Sequence, residues 1–427
     1  MPRTTPLTTQ PATLPRLGYL TSLYPAASHT FIQREVAGLR ALEFDVATVS
    51  IRTPDSSHLI GPEEHTARNN TFYIIDAARK PATLPHALLA ALARPGRLLQ
   101  TLALAGRTAP PGLRGGMKQL AYLAEALILA QYLKAQGIDH LHNHFASASA
   151  NVAMLASQLS GVPFSYTLHG PSDLYEPETW HLREKTARAT FVACISHFAR
   201  SQAMLFSDPA HWDKLRIVHC GVIPDLYDHA PQETHSGMRL IFVGRLAAVK
   251  GLRVLFEAFI QARQTHPDLH LTLVGDGDDR AHLQRLAAPL GDAVHFTGYL
   301  SQDAVAQALA KADALVLPSF AEGLPVVLME ALASARPVIA TQVAGISELV
   351  ENGVTGFVVP PGDADTLADR ITQLAADPAM RNRMGEAGRT KVRADFDVRI
   401  EAARIGALFA GQIGNHLRPQ PLGRKER

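Results

Sequence analysis

The chain has 427 residues, 47% of them apolar and 19% charged, with a formal net charge of +2. That length exceeds what one ordinary hydrophobic core supports, so two domains are expected. The near-neutral balance argues against a dedicated nucleic-acid binder, and no apolar run is long and uncharged enough to predict a transmembrane helix.

Residues 1–15 are rich in Thr and Pro and lack an apolar core, so a disordered tail is expected there rather than a secretory signal. Cys194 and Cys220 are the only cysteines, each at the end of an apolar run. Two buried thiols in a chain of this size favour a reducing compartment, and a cytoplasmic protein is expected. The charge is uneven, roughly +5 up to residue 222 and about −3 beyond it. That excess suits an anionic membrane surface or an anionic acceptor beside the first half, and ordinary scatter explains it equally well.

Over residues 16–222 short apolar runs alternate with helical patterns. Strands are predicted at 17–23, 44–51, 72–75, 140–144, 164–168, 190–195 and 215–218. This alternation reads as a parallel sheet with helices on both faces, an α/β Rossmann-like domain. The stretch 83–136 differs, being Leu- and Ala-rich with Arg94, Arg97, Arg107, Arg114 and Lys118 interspersed. Helices with basic faces are expected there, broken at Pro95 and Pro110–Pro111, with core-facing packing weighed against a peripheral membrane role. In the strand 140–144, His140, His142 and His144 share one face. Packing or a cleft-facing position is preferred over a metal cluster, and no metal is expected. The run Tyr166–Gly170 ends a strand with His169, and Asp173 follows, which makes His169 the first half's best functional residue.

Residues 223–238 carry Pro224, Pro231 and Gly237 and read as a linker. Strands then recur at 240–243, 269–274, 294–296, 314–317, 337–340 and 356–359, giving a second domain over 239–395. Helices are predicted at about 378–394 and 398–409, the first with Asp377 and Pro378 as its start signal. The segment 396–415 is expected to pack back on the first domain, and 416–427 to form a loose basic tail.

Three strand ends of the second domain carry chemistry. After 240–243 come Gly244, Arg245 and Lys250, a glycine turn with two cations able to clamp a diphosphate. After 269–274, Gly275 opens a second turn able to admit a flat base, but Arg280 breaks the dinucleotide fingerprint. After 314–317, Glu322, Gly323, Leu324, Pro325 and Val326 lead into a helix that carries Glu330. A helix start offers backbone N–H groups to a phosphate, Gly323 leaves room for a ligand, and a carboxylate can accept from both hydroxyls of a ribose diol.

Together these motifs resemble the family-four retaining glycosyltransferases of GT-B fold, over nearly the whole chain. Glu322 and Glu330 match the family's paired glutamates, with seven residues between them, and Arg245 and Lys250 match its basic pair. In the first half Tyr24-Pro25, Ser28-His29-Thr30-Phe31-Ile32 with Glu35, His142–Ala146 and Leu168-His169-Gly170 with Asp173 are similar to a subgroup that builds bacterial surface polysaccharides and exopolysaccharides. His29 and Cys220 depart from that subgroup, which commonly has Glu and often Asn there.

The resemblance implies two Rossmann-like domains facing across a cleft, with no cofactor and no required metal. The second domain would bind a UDP- or GDP-sugar through Gly244, Arg245, Lys250, Gly275, Glu322, Gly323, Leu324, Pro325, Val326 and Glu330. Glu330 would hold the ribose and Glu322 the transferred sugar, while Arg245 and Lys250 stabilise the leaving diphosphate. The first domain would take a glycan or polyprenyl-linked acceptor, with Ser28, Thr30, His144, His169 and Asp173 along the cleft and His169 against the sugar. Retention would follow from same-face attack assisted by the leaving phosphate, without a covalent nucleophile. A GT-B epimerase and a non-catalytic sugar-nucleotide-binding subunit are the alternatives.

Overall fold

The structure, a computed structural model, describes residues 14–26, 29–59, 61–228 and 237–411. Its strands are β1 (Leu17–Leu23), β2 (Val46–Arg52), β3 (Thr71–Tyr73), β4 (His140–His144), β5 (Phe164–Leu168), β6 (Val192–Cys194) and β7 (Leu215–Ile217) in the first half. In the second they are β8 (Arg239–Val243), β9 (His270–Val274), β10 (Val294–Gly298), β11 (Ala314–Leu317), β12 (Val338–Thr341) and β13 (Gly356–Val359). β5, β11 and β12 are buried at every residue, as expected of parallel strands covered on both faces. Several predicted strands are shorter than expected. Chain leaves the sheet after Tyr73 to begin the helix Ile74–Ala78, and β6 pairs over three residues only.

The sheet orders are β3-β2-β1-β4-β5-β6-β7 and β10-β9-β8-β11-β12-β13. Every pairing is parallel. Each half therefore repeats one doubly wound order, in which the direction of winding reverses beside its first strand. The crevices beyond the carboxyl ends of β1 and β4, and of β8 and β11, are the two places where such a sheet offers a ligand room.

The Leu- and Ala-rich stretch forms the helices Thr83–Leu92, Pro95–Arg107 and Gly112–Ala135, parted at the predicted prolines. Asp377 caps the helix Pro378–Asp395 by accepting from Met380 N at 2.8 Å. The last helix, Val398–Phe409, crosses to the first half, where Ile405 and Phe409 share a core with Leu17, Tyr19, Leu39 and Phe44. Val222 seals the crossing, donating to Phe396 O at 3.0 Å and accepting from Val398 N at 2.8 Å. Residues 1–13 of the predicted N-terminal tail, the C-terminal tail and half of the linker, 229–236 with Pro231, lie outside the described residues. Both cysteines are buried free thiols.

Candidate functional site

The motifs at residues 244–251 and 318–326 follow β8 and β11, the two strands that flank the second sheet's reversal point. The two loops are tied together: Phe320 N donates to Val249 O at 2.8 Å, and a Cβ on Gly251 would strike Pro318 O. Lys250 Nζ donates to Glu322 Oε1 at 2.5 Å, and Ser319 Oγ donates to the same oxygen at 2.6 Å. Lys250 and Glu322 remain partly exposed, and Arg245 is exposed. This is a cation–carboxylate pair at a strand end with a second cation beside it, and both cations carry N–H donors suited to an anion. The helix Val326–Ala333 begins after Pro325 with no side-chain cap, which leaves its first amides available to a ligand.

The first sheet's reversal point faces this set. After β5, His169 N donates to Asp173 Oδ2 at 3.2 Å, and after β4, Ala146 N donates to Asp173 Oδ1 at 2.9 Å. Asp173 is fully buried, braces the two loops against each other and does not line the cleft. Burial pushes its carboxyl up to about 6, against those two amides and the nearby Lys185. Lys185 is itself buried and pushed down to about 7 by desolvation, with its ammonium on the carbonyls of Ala146 and Ser147.

His144 is also fully buried, behind His169 rather than on the cleft wall. Its Nδ1 lies 2.9 Å from His169 Nε2, and its Nε2 lies 3.4 Å from Glu35 Oε1. Tyr19 OH donates to that same Glu35 oxygen at 2.9 Å. His144 Nδ1 and His169 Nε2 share one hydrogen bond, whose direction depends on the tautomers, while His144 Nε2 makes no hydrogen bond among the described residues; His169 Nδ1 lies 3.7 Å from Cys220 Sγ. Desolvation, with the His144 and His29 rings beside it, holds His169 well below the usual imidazole range. His169 is thus a neutral, oriented hydrogen-bonding group. Thr30 opens the helix Thr30–Ala41 and is partly buried, and Ser28 lies outside the described residues.

Glu35, His142 and His144 offer ligand atoms within 4.8 Å of one another, a group that leaves out His140. His142 meets Ser165 Oγ at 2.8 Å and Thr167 Oγ1 at 2.9 Å, so both its ring nitrogens already have hydroxyl partners. Those hydroxyls stand where a cation would compete for the ring.

The two walls touch. Gly323, expected to admit a ligand, instead admits His169 O, which lies 1.9 Å from where its Cβ would be. A Cβ on Gly170, whose φ of +135° already favours glycine, would lie 2.6 Å from Gly323 Cα. Gly275, expected to admit a base, packs against Gly244 O in the same way. Leu324 and Pro325 are buried. Glu348 of the second domain accepts from His197 N at 2.7 Å and Phe198 N at 2.8 Å, capping the first-domain helix His197–Leu205.

Glu330 departs most from its expected setting. It is 8% exposed, and its Oε1 accepts from Arg34 Nη2 of the first domain at 2.7 Å. Arg34 Nη2 also reaches Tyr227 OH and Gln302 Oε1, each at 3.2 Å. Sequence reasoning missed Arg34, Tyr227 and Gln302. Arg34 stands beside Glu35 in the quoted run, but one Arg on a helix gives no sign of a partner 296 positions away. A groove of the first domain is lined by Ala87, Arg94, Arg97 and Lys134 among others, and by none of these strand-end residues.

The family model for glycosyl transferases group 1 matches residues 229–391, and that for glycosyltransferase family 4 matches residues 29–226. N-acetyl-alpha-D-glucosaminyl L-malate synthase of Bacillus anthracis is 30% identical, over 64% of this chain and 75% of its own. The amylovoran biosynthesis glycosyltransferase AmsK of Erwinia amylovora is 27% identical over 92% of this chain and 99% of its own. Among solved structures, Anabaena HepE in complex with UDP-glucose superposes with a TM-score of 0.69 at 19% identity, over 93% of this chain and all of that one. Sucrose-phosphate synthase from Thermosynechococcus elongatus gives 0.70 at 21%, over 93% and 99%.

Proposed function

The chain belongs to the family-four glycosyltransferases of GT-B fold, and from that premise we propose that it transfers a sugar, with retention, from a UDP- or GDP-sugar to a glycan or polyprenyl-linked acceptor of bacterial surface polysaccharide. One observation carries the donor half of this reading. The Lys250–Glu322 pair and Arg245 lie at the second sheet's reversal point, directly across from His169. Lys250 and Arg245 meet the charge that develops on the departing diphosphate. Glu322 orients hydroxyls of the transferred sugar, and Glu330 holds the ribose diol. His169, neutral and hydrogen-bonded to His144 through Nε2, keeps Nδ1 beside Cys220 to meet a sugar hydroxyl and adds no cation. The leaving phosphate serves as base for same-face attack, so no covalent nucleophile and no metal take part. The acceptor class is supported by the full-length likeness to AmsK, named for amylovoran biosynthesis.

The test is turnover with UDP-, GDP- and ADP-sugars on a lipid-linked glycan, with the product's anomeric configuration read by NMR. Release of UDP or GDP with a retained linkage is expected. An inverted linkage, or binding without turnover on any acceptor, would overturn it.

Peripheral attachment to an anionic membrane completes the reading. No helix among the described residues is long and apolar enough to cross a membrane. Residues 77–124, however, carry seven basic residues and no acidic one. Leu89, Leu99, Leu113 and Leu120 are 64%, 66%, 90% and 68% exposed on the helices of this stretch. Exposed leucines on a stretch rich in cations suit an anionic bilayer surface in both respects. Co-sedimentation with anionic but not neutral vesicles is expected, weakening with salt. Failure to bind anionic vesicles at low salt would refute it.

A further inference from the structure

The ion pair between Arg34 and Glu330 joins the two domains at the carboxylate assigned above to the donor's ribose. Arg34 sits on the helix Thr30–Ala41, with its side chain 4% exposed. Its Nη2 is the hub of the contact, on Glu330, Tyr227 and Gln302 together. Its Nε and Nη1 are buried and find no hydrogen-bond partner among the described residues. A guanidinium is costly to bury this way, because unsatisfied buried donors and a desolvated charge both disfavour the closed arrangement. A surface pair would do as well for holding two domains together, as Glu348 does by capping a helix. The cost instead falls on a glutamate of the donor site that Arg34 of the first domain holds.

We propose that Arg34 is a positioning residue that presents Glu330 to the donor's ribose, so that nucleotide recognition by the second domain depends on closure by the first. A carboxylate has about four lone-pair sites. Arg34 uses one, on Oε1, and Tyr227 also hydrogen-bonds the carboxylate, which leaves about two for a vicinal diol. With its rotamer held by the guanidinium, Glu330 meets the ribose with less ordering left to do. When the domains part, the contact is lost and the carboxylate is released. Donor binding and closure therefore share one interaction, and whatever favours one favours the other to the same degree.

The inference rests on the ribose reading of Glu330, and a double-mutant cycle separates the two. Titration calorimetry with UDP, GDP and ADP is run on the full chain and on Arg34→Met, Glu330→Gln and the double variant. For whichever nucleotide binds the parent chain, each single change is expected to raise Kd about tenfold, and the double variant to be no weaker than either. Arg34→Lys, which keeps the charge but loses the planar fork, is expected to fall in between. It also serves as the test variant if Arg34→Met does not fold, since its effect must vanish in the Glu330→Gln background. A normal Kd in folded Arg34→Met or Arg34→Lys, or losses that multiply in the double variant, would overturn the inference and leave the ribose reading standing. A normal Kd in Glu330→Gln, or no binding of any of the three by the parent chain, overturns that reading and the inference with it.

Discussion

The two walls of the cleft are built on the same strand order but hold their polar groups by opposite means. On the second domain the groups are charged and partly exposed: Lys250 on Glu322, with Arg245 open beside them. On the first they are imidazoles withdrawn from water in the sheet or beside it, where desolvation holds His29 and His140 near 4 and His142 and His169 well below the usual range. Charge kept near water is cheap to maintain and available to a phosphate. A group taken out of water stays neutral and is instead locked in direction by its hydrogen bonds. The fold thus supplies two equivalent crevices, and burial decides which one stabilises charge and which one orients.

Four measurements would break or sharpen this contrast. The largest effect is expected on the charged wall. Lys250→Met should lower kcat by about 100- to 1000-fold, the usual loss when one donor to a developing oxyanion is removed. A kcat within a few-fold of the parent would place the leaving-group cation elsewhere.

The orienting wall should announce itself in stability against pH. His140 is about 4 in the folded chain and near 6.5 unfolded, so between those values the unfolded chain binds more protons. Its contribution is fully present above pH 6.5 and is lost as pH falls toward 4. Relative to His140→Gln, which can still bond Ser165, the parent should lose about 2 kcal/mol between pH 7 and pH 5. Parallel stability curves in urea across that range would contradict the burial argument. The difference between the two proteins is the informative quantity, because burial raises Asp173 to about 6 and Glu401 to about 7, and those carboxyls slope the other way.

Within the charged wall, the paired glutamates should part company. Glu330→Gln is expected to raise the Kd of free UDP or GDP about tenfold, through loss of a charged acceptor. Glu322→Gln should barely change that Kd while single-turnover rates fall sharply, since its partner is the sugar. Equal weakening of nucleotide binding by both would merge the two roles. The smallest expected effect is none: thorough chelation should leave turnover unchanged, with Arg245 and Lys250 in place of a metal. Loss restored by magnesium or manganese would overturn this, and would turn attention to Glu35, His142 and His144.

Most strands, the prolines that part the helices, the Asp377 cap and the return of the last helix follow from local patterns: period, punctuation and capping chemistry within windows of a few residues. The strand-end position of Arg245, Lys250, Glu322 and His169 follows from the same patterns, because a parallel sheet brings the carboxyl ends of its strands to one edge. Tertiary structure decided what those residues meet. Gly323 faces a carbonyl of the other domain, Asp173 and His144 are braces behind the cleft wall, and Glu330 holds Arg34. Such pairings join positions far apart in the chain, and no local period or composition encodes them. They arise when two separately wound sheets close on each other, and burial then sets both the partner and the charge state of each group.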